Sequence, residues 1–365
     1  MRVTEIPLED RILLIGPPGI GKTEIVRQKA EEEAKAMGRK FIDLNSVTPE
    51  ELDEIERSPS DYYAFLPLHA PHLMPEDISI PDVSLFKEST KRGVDFLAPR
   101  RLAVLGLPGI AGVLFIDEIT NVQRRDALTL LFAIIQEKRV GWSLKLSDGV
   151  KVIAAGNPPE TSSVALLLPA PLVNRLTVIE VEPPTVDEWC VYMEKKYGFD
   201  ETLGRICAFL HANPDVFAKA PNEIETLTNY PTPRAWEAVY TLVKKYGVHE
   251  ELVRGRIGTE VAMLFTTFMS VTLSEHEIAE VARKPERYEE LGIEKKVLLM
   301  HWLANNFKRP EFRSIFKHIV ERHEDDAVAV IKMSPNRREL IMMHLDMLKK
   351  LVDKLSNLGE QPWSP

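Results

Sequence analysis

The chain has 365 residues, enough for about two or three domains, with 44% hydrophobic and 28% charged residues, as in an ordinary soluble globular protein. Its net charge of −9 argues against a broad basic surface for wrapping duplex DNA, though not against a local basic patch or a positively charged pore. No apolar run reaches the ~18–20 residues of a membrane span, and "MRVTEIPLED" lacks a signal-peptide pattern; the expectation is a cytoplasmic protein without membrane insertion.

Ile12-Leu13-Leu14-Ile15 is a short, continuously apolar run, the pattern of a strand buried on both faces. It leads directly into Gly16-Pro17-Pro18-Gly19-Ile20-Gly21-Lys22-Thr23, which fits G-x-x-x-x-G-K-[ST] without a mismatch. The following "EIVRQKAEEEAKAM" is rich in helix formers, and Gly38 is placed to stop the helix. Strand, glycine loop and helix in this order predict a phosphate cradle: backbone N–H groups and a helix N-terminus surround a polyphosphate. Lys22 is expected against the β- and γ-phosphates, with the Thr23 hydroxyl on Mg²⁺.

"GVLFIDEIT", residues 112 to 120, reads as a second buried strand ending in Asp117-Glu118, at the strand end where open α/β sheets bind ligands. Asp117 is expected to hold the Mg²⁺ and Glu118 to polarise the attacking water. A third strand, "VKVIAAGNPP", ends in Asn157. Its amide could reach between the strand ends toward water or γ-phosphate, presented by the turn that Asn157-Pro158-Pro159 makes.

Taken together, GPPGIGKT, LFIDE, AAGNP, "PLVNRL" and "PTPRAW" resemble, in this order, an AAA+ ATPase, and more narrowly its MoxR-like branch, over roughly residues 5 to 270. The resemblance implies a P-loop NTPase α/β core with a central parallel sheet flanked by helices, then an all-α lid and extra C-terminal helices. It implies ATP and Mg²⁺ as cofactors, Asn157 as the sensor-1 residue, Arg175 as an arginine finger acting on a neighbouring subunit, and Arg234 as the sensor-2 arginine. Thr232 is a good N-cap and Pro233 a good first helical residue, so Arg234 falls in the first turn of a helix. The branch also implies an insert at about 60–98 and a hairpin at about 138–152, the latter signalled by alternation around Asp148-Gly149. Phe65, Leu66, Leu73 and Trp142 are candidates there for gripping a substrate. The chain departs from the family around Asn121 and before the DE strand, which leaves Arg124 and Arg125 as alternatives for the finger.

The expected organisation is a nucleotide-binding domain at 1–182, a helical lid at 183–270 and a helical extension at 271–365. Cys190 and Cys207 are too few for a disulfide framework or a metal cluster and read as small buried hydrophobes. Ile257, Val261, Phe265 and Phe268 at helical spacing predict a lid-core helix. A last helix is expected with Ser334 as cap, Pro335 first, a stripe of Ile341, Leu345, Leu348, Val352 and Leu355, and Gly359 as its stop. The resemblance implies an ATP-hydrolysing ring, usually a hexamer, that remodels a protein partner, often one with a von Willebrand A domain. Two alternatives are a nucleic-acid motor using Arg100, Arg101, Arg139 and Lys145, and a scaffold or filament gated by nucleotide binding.

Overall fold

The computed structural model of the protein describes residues 1–82, 96–141, 144–158, 168–219, 229–334 and 336–348. The chain divides between Pro183 and Pro184 into an α/β unit and a helical unit.

The α/β unit begins with β1 (Ile12–Ile15), α1 (Lys22–Ala36), β2 (Lys40–Asp43), α2 (Pro49–Arg57) and β3 (Tyr62–His69). There follow β4 (Ile80–Pro81), β5 (Phe96–Leu97), α3 (Arg100–Ala103), β6 (Ala111–Asp117) and α4 (Arg125–Glu137). It closes with β7 (Arg139–Val140), β8 (Leu144–Lys145), β9 (Val150–Gly156), α5 (Ala170–Val173) and β10 (Thr177–Glu180). Six of these strands form one parallel sheet in the order β10-β1-β9-β6-β3-β2, with α-helical crossovers as parallel pairing requires. Both faces are covered, so the central strands are apolar throughout rather than alternating. Along β6, Val113 and Phe115 pack with Val26 and Ala30 of α1, while Leu114 and Ile116 join Leu131 and Ile135 of α4 on the other face. One carboxylate holds α1 against two strands: Glu33 accepts from Lys151 Nζ at 2.7 and 2.8 Å and from the Tyr63 hydroxyl at 3.0 Å.

β3 changes the expected boundary of the insert. Residues 62–69 pair with both β2 and β6 inside the sheet, and Phe65, Leu66 and Leu73 are core residues, 1%, 3% and 7% exposed. They cannot grip a substrate, and Trp142 lies outside the described residues. The hairpin also turns earlier than expected. β7 pairs with β8 in the register Arg139↔Lys145, its turn opens at Gly141 in the left-handed region (φ 60°), and Asp148-Gly149 instead leads the chain into β9.

The helical unit contains α6 (Val186–Tyr197), α7 (Glu201–Ala212), α8 (Pro233–Tyr246), α9 (Glu250–Ile257) and α10 (Thr259–Ser270). It continues through α11 (Glu275–Arg283), α12 (Ile293–Asn305), α13 (Pro310–Arg322), α14 (Glu324–Met333) and α15 (Arg337–Met343). A single apolar cluster runs from Trp189 to Leu348, so the segments before and after residue 270 share one core. At its centre the Phe209, Trp236 and Phe265 rings meet with centroids 5.3–5.7 Å apart, a spacing at which aromatic edges and faces attract. Ile257, Val261, Phe265 and Phe268 are all buried, but Gly258 (φ 81°) breaks the run into two helices. The last helix starts later than expected. Ser334 is the C-cap of α14, its hydroxyl donating to the Ala304 carbonyl at 2.8 Å, and α15 runs from Arg337 to Met343 with His344 as its C-cap. Val352, Leu355 and Gly359 lie outside the described residues.

Cys190 and Cys207 are not free buried thiols; they form a disulfide between α6 and α7, with Cα atoms 6.1 Å apart. Two cysteines 17 positions apart match no sequence pattern, and only the packing of the two helices brings them together. Closing a loop of this size restricts the unfolded chain, an effect worth about 3 kcal/mol. The double variant Cys190→Ser/Cys207→Ser is therefore expected to unfold at lower urea than the oxidised protein. Equal midpoints under non-reducing conditions would show that the bridge contributes nothing.

Candidate nucleotide site

β1, β6 and β9 end on the same edge of the sheet, because Ile15 is in register with Gly156 and Ile116 with Ala154; β3 joins them there through Asp117 and His69. The glycine loop leaves β1 at this edge. Gly16 admits no side chain, since a Cβ there would stand 2.4 Å from the Val181 carbonyl oxygen. Gly21 caps α1 in the left-handed conformation, φ 96°, and its carbonyl accepts the Ile25 N–H at 3.0 Å. Lys22 and Thr23 are thus the first two residues of a fifteen-residue helix, with its unpaired N–H groups and positive dipole end behind the loop.

Lys22 is 7% exposed, and its ammonium donates to the carbonyls of Gly16 (2.6 Å) and Pro17 (2.9 Å) and to Asn157 Oδ1 (3.0 Å). A buried ammonium needs such partners. The loop thus holds its lysine against neutral oxygens that a polyphosphate can replace with charged ones. The Thr23 hydroxyl donates to Asp117 Oδ2 at 2.6 Å, while Asp117 Oδ1 accepts the Glu118 N–H at 2.9 Å. Residues read from three separate sequence segments therefore meet in two directly hydrogen-bonded pairs, Lys22 with Asn157 and Thr23 with Asp117.

Glu118 has a left-handed backbone (φ 57°, ψ 37°), a sparsely populated state for a residue with a Cβ. Its side chain is 38% exposed; Oε2 accepts from Asn121 Nδ2 at 3.0 Å, and Oε1 lies 3.8 Å from His69 Nε2. The His69 ring stacks on His72 with centroids 4.4 Å apart. Asn157 is positioned through Thr120, whose buried hydroxyl accepts the Asn157 N–H at 2.9 Å. Gly156 makes room for this, because a Cβ there would meet the Thr120 side chain at 2.6 Å.

Sequence reasoning did not single out Thr120 or His69, and assigned Asn121 no contact with Glu118. Thr120 and Asn121 stand in the turn directly after Asp117-Glu118, but a β-branched residue in a turn carries no signal of its own. His69 became visible only through the β3–β6 register.

The arginines of the α/β unit are bonded to other partners. Arg175 follows α5, is exposed, and donates to Gln136 Oε1 of α4. Arg124 pairs with its neighbour Asp126, which raises the arginine above its usual range; the Arg125 side chain lies outside the described residues. Arg234 is exposed in the first turn of α8 in the helical unit, where Thr232 Oγ1 accepts the Ala235 N–H at 3.0 Å and Pro233 opens the helix. Arg100 is bound to Asp53 and Glu56 of α2, Arg101 donates to the Val47 carbonyl, and Lys145 lies 3.8 Å from Asp148.

The family model described as "ATPase family associated with various cellular activities (AAA)" matches residues 12–178. No curated protein matched the chain. Among solved structures, a point mutant of Thermotoga maritima RuvB is 16% identical, with 86% of this chain and 81% of that one covered and a TM-score of 0.33. The Aeropyrum pernix ORC2 protein is 13% identical over 94% of this chain and 80% of its own, with a TM-score of 0.38. No helix among the described residues is long and apolar enough to cross a membrane. With the parallel sheet and the loop, acid pair and asparagine at one edge, the segment 12–178 belongs to the AAA ATPase family.

Proposed function

We propose that the site binds and hydrolyses Mg-ATP, and that the chain works as a MoxR-like oligomeric machine remodelling a protein client. The observation that carries the reading is the Lys22–Asn157 and Thr23–Asp117 pairing at the carboxyl edge of the sheet. The loop Gly16, Pro17, Pro18, Gly19, Ile20 and Gly21 wraps the phosphates; its non-proline residues supply the backbone N–H groups while Pro17 and Pro18, which have none, shape the turn, and Lys22 exchanges its carbonyl partners for β- and γ-phosphate oxygens. A hydroxyl and a carboxylate oxygen already 2.6 Å apart are a donor set suited to Mg²⁺, so Thr23 and Asp117 would hold the ion. When bound, the ion neutralises charge on the transferred phosphoryl group. Glu118 takes the proton of the attacking water, held in place by Asn121. Asn157, fixed at its backbone by Thr120, aims its amide at that water or the γ-phosphate.

Arg175 is the arginine that acts on a neighbouring subunit. Its support is its exposure and, among the described residues, the lack of an acidic partner, whereas Arg124 is committed to Asp126. Arg234, exposed in the first turn of α8, is the sensor-2 candidate. A shared site requires an oligomer, read as a hexameric ring, and an energy-driven motion between subunits suits work on a protein client such as one with a von Willebrand A domain. The ion pairing of Arg100 with Asp53 and Glu56 removes one of the cations that a nucleic-acid motor would use.

Lys22→Ala is expected to weaken ATP binding by about 100-fold or more, since hydrogen bonds to charged groups are each worth about 1.5–3 kcal/mol. A fluorescent-nucleotide titration checks this, and unchanged affinity would remove the cradle. The assembly is tested by light scattering on a sizing column of the Glu118→Gln protein with and without Mg-ATP. A shift to one discrete closed oligomer is the expected result. A protein that binds ATP yet stays monomeric would refute the shared site, and an indefinitely growing species would favour the filament.

A further inference from the structure

We propose that Glu289, His318 and His323 form a binding site for a divalent metal ion of the zinc class in the helical unit. Nothing in the ATPase reading uses these residues. They come from three places in the chain. Glu289 follows the 3₁₀ turn Pro285–Tyr288, His318 lies within α13, and His323 is the single residue joining α13 to α14. Their ligand atoms all lie within 4.8 Å of one another. Both histidines turn the same nitrogen toward one carboxylate: His318 Nε2 is 3.0 Å from Glu289 Oε1, and His323 Nε2 is 2.7 Å from Oε2.

This is the donor set of a metal site with its protons still in place. On metal binding each Nε2 would give its lone pair to the ion, and the neutral ring's single proton would sit on Nδ1 instead. Two imidazole nitrogens and one carboxylate suit zinc and its transition-metal neighbours, whereas calcium and magnesium favour shells built wholly of oxygen. The side chains are shielded unequally. His318 is 10% exposed, His323 28% and Glu289 38%, which leaves the carboxylate side accessible for a water molecule as a further ligand. The surroundings favour a cation: α14 opens with Glu324, Asp325 and Asp326, and Asp326 accepts the hydroxyl of Tyr288, the residue before the carboxylate ligand. An ion here would tie the segment before α12 to the α13–α14 corner. Its role would be to brace the helical unit rather than to take part in hydrolysis.

The test uses the full chain, stripped with a chelator and dialysed, then titrated with Zn²⁺ against a chromophoric indicator. Millimolar Mg²⁺ without nucleotide keeps the hard-oxygen site at Thr23 and Asp117 from contributing. The expected result is one tight Zn²⁺ per chain and a raised melting temperature on loading. Glu289→Gln and His323→Gln, both at exposed or half-buried positions, should each weaken Zn²⁺ by at least about 100-fold and lose the thermal shift, since even partners outside the ligand set contribute about 10–100-fold. Circular dichroism confirms that the variants fold. If they do not, the Co²⁺-loaded wild-type protein decides, by the presence or absence of visible absorption from an ion held by nitrogen and oxygen ligands. Failure of the wild type to retain either metal would overturn the site and leave a purely hydrogen-bonded triad. Zn²⁺ affinity equal in wild type and both variants would overturn it as well.

Discussion

Glu118→Gln is expected to lower ATP turnover by about 10²–10⁴-fold while leaving ATP affinity within a few-fold of the wild type. The substitution is close to isosteric. The new amide oxygen could still accept from Asn121, and the left-handed backbone that carries the side chain need not change. What disappears is the ability to take a proton from water. The contacts of the binding side, Lys22 with Gly16, Pro17 and Asn157 and Thr23 with Asp117, involve other atoms and remain intact. Binding and chemistry should therefore separate cleanly: equilibrium titration gives the affinity, and a phosphate-release assay gives the rate. A variant that hydrolyses at the wild-type rate would move the base elsewhere.

The contrast between what was and was not legible in the sequence is physical. The phosphate loop could be read because its demands are local. A strand must end, a Cβ-free residue must pass under the Val181 carbonyl, and a lysine must begin a helix. Asp117 and Asn157 could be read for a related reason: each is the first polar residue at or just past the end of an apolar strand, and parallel strands deliver such residues to one edge. β3 could not be read in this way. Its "YYAFLPLH" contains a proline and abuts a proline-rich stretch, so local punctuation outweighed apolar content. Only pairing on both sides makes it a central strand, and with it His69 comes to the side of Glu118. The same limit applies in the helical unit. Gly258 splits a periodic run that composition alone makes continuous, and the cysteines meet only because α6 and α7 pack together. Helix caps were legible where the pattern was complete, as at Thr232-Pro233. At Ser334 the same pattern misled, because the hydroxyl bonds the Ala304 carbonyl rather than a helix N-terminus.

Arg175→Ala carries the largest expected loss of turnover, about 10³–10⁵-fold if the guanidinium neutralises charge on the transferring phosphoryl group. Nucleotide affinity should change little, because within its own chain the side chain meets Gln136 of α4 and not the Lys22–Asn157–Asp117 cluster. This separation makes the trans mechanism testable by mixing. An Arg175→Ala subunit retains an intact cradle but offers no finger; a Lys22→Ala subunit lacks the cradle but still presents its arginine. Each is nearly inactive alone. Co-assembled, they generate interfaces in which a competent cradle faces a competent finger, and a fraction of the wild-type rate should return in proportion to those interfaces. A cis arginine cannot produce this result, since no chain in the mixture holds both residues. If the mixture stays inactive although mixed oligomers form, Arg175 is not the trans residue. Arg124 would then have to leave Asp126 to serve, and an Arg124→Ala subunit mixed with Lys22→Ala should recover activity in its place.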